Sequence, residues 1–148
     1  MVVIAIVGII AGFGTPALLS MKAKSSVRAD ARDVFSTFRH AQSEAVKRSV
    51  SVCIIFNKPL TGEYKVFLDN GVGTNANNAV QDPGEETLSV NRLRSGSSFA
   101  GITFTSNPGF NARGLPLGGK IGSVEIHSSA LQMKLSLSIA GNIKTTVL

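Results

Sequence analysis

The sequence predicts an α+β fold: one long N-terminal helix, apolar and then amphipathic, packed on a small antiparallel β-sheet domain. Three features predict it. The first 21 residues carry no charge. Residues 26–49 then repeat apolar side chains at spacings of three and four, with no Gly or Pro between Pro16 and Pro59. Beyond residue 50 short alternating or β-branched runs are separated by Gly, Asn and Pro clusters. The predicted division is residues 1–50 for the helix, with a membrane-spanning part at 1–20, and residues 51–148 for the β-rich domain.

The opening stretch, MVVIAIVGIIAGFGTPALLSMKAK, has the length of a bilayer span, which takes about 20 apolar residues. Ten of its residues are Val, Ile, Leu or Phe. At about −0.3 to −0.6 kcal/mol each, insertion is favourable, though Gly8, Gly12, Gly14 and Pro16 erode it. A cleaved secretion signal fits poorly, because no basic residue precedes the run and no A-x-A-like site follows it. Gly8 and Gly12 have the small-xxx-small spacing that lets helices approach closely in lipid. Pro16 removes a backbone donor and clashes with the preceding turn, so the helix is expected to loosen there. These four residues are the candidate helix-packing and assembly positions. The first basic residues, Lys22, Lys24, Arg28 and Arg32, all follow the span, and by the positive-inside rule alone they would hold the domain in the cytoplasm.

In the amphipathic half, Val27, Ala31, Val34, Phe35, Phe38, Ala41, Ala45 and Val46 mark one apolar face. Arg28, Arg32, Asp33, Arg39, Ser43 and Lys47 fill the other side. With no breaker between them the two halves form one rod of about fifty residues, roughly 75 Å long.

Seven strands are predicted, at SVSVCIIF, EYKVFLD, ETLSVNRL, GITF, SVEIHS, LQMKLSLSI and NIKTTVL. Residues 134–139 read K-L-S-L-S-I, a half-buried strand, and AGN after it signals a hairpin. These strands make one antiparallel sheet with a face for the helix to cover. Residues 69–86 are too long and polar for a hairpin turn and form an exposed loop. Cys53, the one cysteine, excludes an internal disulfide and reads as a small buried apolar residue.

No catalytic constellation is visible, and no cofactor is implied. The two histidines, His40 and His127, read as a partly exposed helix residue and a sheet-face residue. No serine lies in a G-x-S-x-G elbow. Asp69, Asp82, Glu85 and Glu86 lack the regular oxygen ladder that calcium needs, so no metal site is assigned. The net charge of +6 and pI near 9.9 invite nucleic acid. However, residues 22–48 carry +4 of that charge and residues 49–148 only +2. The excess therefore sits on the stem, where anionic lipid or neighbouring subunits could use it.

The ordered blocks VFLD…DPGEETLSV, ITFTSNPGFNARGLP, GSVEIHS and LSLSIAGNIKT resemble those of the FimT/GspH family of minor pilins and pseudopilins. MVVIAIVGIIA is similar to the body of the pilin N-terminal signature, with Pro16 where pilins carry their helix-loosening proline. The resemblance implies a pilin-like fold and a subunit of a type IV pilus or type II secretion pseudopilus, assembled through its apolar helix to prime or cap the filament. The implied partners are other pilin or pseudopilin subunits, and inner-membrane lipid before assembly. The implied site is the bacterial inner membrane, crossed once with the domain in the periplasm, and then the filament. The family's leader, its prepilin-peptidase cut and its glutamate would lie upstream of Met1, and a basic leader there would remove the topology conflict. Several relatives pair a cysteine near Cys53 with a second one; the matching position here is His127, so that bridge is absent. Some members bind DNA through a C-terminal Gly-Arg-x-Arg, where this chain has Gly141-Asn142-Ile143-Lys144. Arg113, Lys134 and Lys144 are accordingly the candidate DNA contacts. The alternatives are a DNA-binding minor pilin or a simple membrane-anchored periplasmic domain.

Overall fold

The computed structural model describes the backbone of residues 2–58, 60–71, 76–119 and 121–148, with side chains along the helix from Leu18 onward. Helix α1 runs Val2–Arg48 and its assignment continues through Pro16 without a break. It stops in a Schellman arrangement. Ser49 takes a left-handed backbone (φ 57°), Ser49 N–H donates to Val46 O at 3.3 Å and Val50 N–H to Ala45 O at 3.3 Å. Lys47 and Arg48 in the last turn suit the negative end of the helix dipole.

The strands that follow are β1 (Ser51–Phe56), β2 (Glu63–Asp69), β3 (Thr87–Arg92), β4 (Ser98–Ile102), β5 (Gly109–Phe110), β6 (Gly122–His127), β7 (Gln132–Leu137) and β8 (Ile143–Val147). They form two antiparallel four-stranded sheets, ordered β3-β2-β1-β5 and β4-β6-β7-β8. The sequence pattern suggests one sheet; the chain crosses to the second sheet in the connection Leu93–Ser97, returns to the first for β5 and crosses again to β6, and no periodicity marks these connections. Strand β4 also starts earlier than the predicted GITF, because Ser98 pairs with His127 before an irregularity between Phe99 and Ile102. Strand β5 is two residues long, too short to alternate, and the sequence reading missed it.

One face of α1 serves both sheets. Val27, Val34, Phe38, Ala41 and Ala45 share a buried cluster with Val52, Ile54 and Val66 of the first sheet and Val124, Ile126, Leu135 and Leu137 of the second. Phe38 lies at its middle, with ring centroids 6.1 Å from Phe56, 6.2 Å from Phe104 and 6.3 Å from Phe110. Burying each such side chain contributes about 1.5–3 kcal/mol. Val46 departs from its expected place and is 50% exposed, since it lies about 100° round the helix from Ala45.

Strand β1 is buried on both faces, which is why SVCIIF reads as an unbroken apolar run. Its outer face carries a second cluster of Cys53, Ile55, Phe67, Ala79 and Leu117. Gly109 of β5 admits no side chain there, as a Cβ would lie 2.9 Å from Val52 O. The segment expected to be an exposed loop is therefore anchored. Buried Asp69 accepts Ala79 N–H at 2.7 Å and the Cys53 thiol at 3.6 Å. Asn107 Nδ2 donates to Ala79 O at 2.7 Å, and Ser51 Oγ donates to Asn77 Oδ1.

Two outcomes follow from this packing. Replacing Ser49→Gly removes the left-handed Cβ penalty at the helix stop, and urea unfolding should show a gain of about 1 kcal/mol. Burial pushes the Tyr64 phenol above its ordinary range, against a smaller opposing hydrogen bond with Thr37. The unfolded chain releases that proton first, so stability is full below about pH 10 and falls as the pH rises beyond it. Tyr64→Phe should flatten that alkaline loss in a thermal-midpoint series; an unchanged slope would mean Tyr64 does not cause it.

Candidate assembly surface

The helix stem leaves the domain at its Leu18–Asp30 portion, and polar contacts fix it there. Asp30 lies three residues after Val27 and four before Val34, so it shares their buried stripe and is 1% exposed. A buried carboxylate is costly unless paired and hydrogen-bonded. Arg94, in the β3–β4 connection, supplies both. Its Nη1 donates to Asp30 Oδ1 at 2.6 Å and reaches Asp33 Oδ2 at 2.8 Å, and its backbone N–H lies 3.3 Å from Asp30 Oδ1. Donating to Asp30, and then to Asp33, holds the guanidinium above its usual pKa. Ser26 Oγ meets Ser97 Oγ at 3.2 Å, and Ser128 Oγ donates to Ala23 O at 3.4 Å. The sequence reading missed this latch. Its one visible signal was an aspartate at an apolar-stripe position.

Below the latch the stem is open. Leu18 and Leu19 are each 68% exposed and Met21 67%. Lys22, Lys24 and Arg28 are exposed along the same stretch, and Arg32 is exposed beside the latch. A groove of about 530 Å³ runs beside this stretch, between the stem from Leu19 to Ala29 and the loops carrying Arg94–Gly96 and Ser129. At the other end of the helix, Gln42 Nε2 donates to Gly114 O at 2.7 Å and Gly141 O at 3.4 Å, tying two turns to α1.

The four predicted helix-packing residues, Gly8, Gly12, Gly14 and Pro16, lie outside the residues whose side chains are described. Among the described residues no helix is long and apolar enough to cross a membrane. The three candidate DNA contacts fall in different settings. Arg113 is exposed on the turn before Gly114 and borders a groove with Arg39 and Lys47 of the helix. Lys134 faces outward on β7 and pairs with Glu125 at 3.4 Å. Lys144 is exposed on β8, opposite Ser136 and so on the same outer face as Lys134. Among the described residues no unbroken stripe of cations joins the three, since Lys134 between them is paired with Glu125.

The acidic side chains of the long loop are engaged locally. Glu85 accepts the N–H groups of Gly71 at 3.0 Å and Asp82 at 2.9 Å, Asp82 accepts Asn78 Nδ2 at 2.9 Å, and Glu86 pairs with Arg48 at 3.2 Å. His40 is exposed on the helix, and His127 is exposed on β6 within 3.4 Å of Ser98 Oγ.

Comparison with known proteins places this geometry. A family model described as "Type II transport protein GspH" matches residues 30–141. No curated protein matches the chain. Among solved structures the fold is similar to the type IV minor pilin FimU of Pseudomonas aeruginosa, with a TM-score of 0.58 and 16% identity, covering 80% of this chain and 91% of that one. It is also similar to the minor pseudopilin EpsH of the Vibrio cholerae Type 2 Secretion System, with a TM-score of 0.60 and 10% identity, covering 82% and 97%.

The latch makes a testable demand on stability. Arg94→Ala strands the buried Asp30 carboxylate, so it should lower the thermal midpoint. The Asp30→Ala/Arg94→Ala double variant has no stranded charge and should fall by less than the single change. A double variant weaker than the single would remove the latch from the account.

Proposed function

This chain belongs to the GspH family of type II transport proteins, and from that premise we propose that it is a minor pilin or pseudopilin subunit which enters a type IV pilus or type II secretion pseudopilus through its N-terminal helix and primes or caps the filament. It is a structural subunit in this reading and not an enzyme.

One observation carries the reading: α1 has more surface than its own domain uses. The stripe from Val27 to Ala45 is buried in both sheets, while Leu18, Leu19 and Met21 expose apolar side chains and the same helix continues back to Val2. Before assembly the apolar run of residues 1–20 holds the subunit in the inner membrane, with the domain in the periplasm. In the filament, neighbouring helices replace the lipid, and the close approach allowed by Gly8, Gly12 and Gly14 favours that exchange. The backbone donor missing at Pro16, through which α1 runs unbroken, would ease re-angling of the membrane half without disturbing the docked half. A leader upstream of Met1, cut by prepilin peptidase, would set the orientation.

Shearing of filaments from cells carrying an epitope-tagged chain tests this. The tagged chain should appear in the sheared fraction beside the major subunit, at much lower abundance, and should vanish from it when the major subunit is deleted. A chain that stays wholly in the membrane fraction while filaments are sheared off would contradict the assignment.

A further inference from the structure

We propose that the groove beside the helix stem seats the headgroup of an anionic phospholipid. The site holds the domain against the membrane surface before assembly. The proposal rests on the membrane-anchored reading above and adds a specific ligand site to it.

Position comes first. The groove begins where the uncharged run ends, so its mouth lies at the level where a bilayer changes from acyl chain to headgroup. Leu18, Leu19 and Met21 project apolar side chains at that level, suited to the upper acyl chain. Lys22 follows Leu19 by three residues, so both face the groove from one side of the helix. A volume of about 530 Å³ is in the range of ordinary small-ligand sites.

Chemistry narrows the occupant. The upper wall is polar, with Ser25 and Ser26 on the helix and Ser129 on the facing loop. At Gly96 a Cβ would meet nothing within 4 Å, so the wall there is open. Arg94 borders the groove, but its Nη1 is committed to Asp30 and Asp33. Lys22 is therefore the cation available to a phosphate, with Lys24 and Arg28 exposed nearby on the stem. An apolar helix laid in the same groove would cover Lys22 and the Ser25 and Ser129 side chains without offering them polar partners, which is costly. A phosphate above an acyl chain satisfies the polar and apolar parts together. The charge beside the groove points the same way: residues 22–32 hold Lys22, Lys24, Arg28 and Arg32 against the single acid Asp30.

The test is native mass spectrometry of the full chain released from neutral micelles doped with equal phosphatidylglycerol and phosphatidylcholine. The proposal expects phosphatidylglycerol to be retained in preference, and Lys22→Gln to reduce that retention about fivefold. Lys47→Gln, roughly 38 Å further along the helix, should leave it unchanged. Equal retention of the two lipids would overturn the proposal, as would equal losses from the two substitutions. So would a second copy of the chain held in place of lipid. Insertion into phosphatidylcholine vesicles separates the two levels: a chain that inserts but shows no headgroup preference removes only the lipid site. A chain that does not insert removes the anchored reading as well.

Discussion

A single face of one helix, from Val27 to Ala45, is the surface on which both sheets close. Both sheets turn their inner faces into one buried cluster with that helix face, where Phe56 of the first also meets Phe99 of the second at 5.1 Å, and only the first sheet carries a smaller apolar cluster on its outer face among the described residues. Phe38 is the clearest case, since its ring meets Phe56 and Phe110 of the first sheet and Phe104 beside the second. Remove the helix and the two inner faces would expose Val52, Ile54 and Val66 on one side and Val124, Leu135 and Leu137 on the other. The domain is thus built around a piece of the helix, and the helix cannot be treated as a handle attached to it.

Charge reinforces this dependence at the end nearest the stem. Asp30 occupies a position that the apolar stripe would otherwise give to Val or Leu, and Arg94 compensates it from the strand connection. A buried pair of this kind adds little net stability over an apolar contact. It does penalise every docking of the helix in which the two fail to meet. It therefore fixes the rotation of the helix, and with it the direction in which Leu19 and Lys22 leave the domain. In the proposed role, where one side of the stem meets lipid and later other subunits, that constraint would be an advantage.

Much of this fold was legible in the sequence because its two periodicities are clean. The three-and-four spacing from Val27 to Ala45 gives the helix and its buried face, and the alternating runs give seven of the eight strands within a few residues. Less legible was everything set by pairing. Which strands share a sheet depends on three crossings, before β4 and on either side of β5, and no residue pattern in those connections distinguishes one sheet from two. Gly109–Phe110 is too short to show a period. Asp69 looked like loop acid, yet it is buried and holds Ala79 over the outer face of β1. Val46 looked like core because it adjoins Ala45, although one residue is enough to turn it to solvent. At the candidate site, the basic stem was visible as composition, whereas the groove and the Asp30–Arg94 pair exist only after residues 64 apart in sequence are brought together.

Native-state hydrogen exchange of the full chain at increasing denaturant shows most directly whether one helix face holds both sheets together. If the helix face closes both sheets, the amides of Val27–Ala45, of β1 and of β7 should exchange through one opening event, with the same free energy and the same denaturant dependence. Sheet amides in β6, β7 and β8 that stay protected after the helix amides have exchanged would contradict it. They would show a domain that stands without its helix.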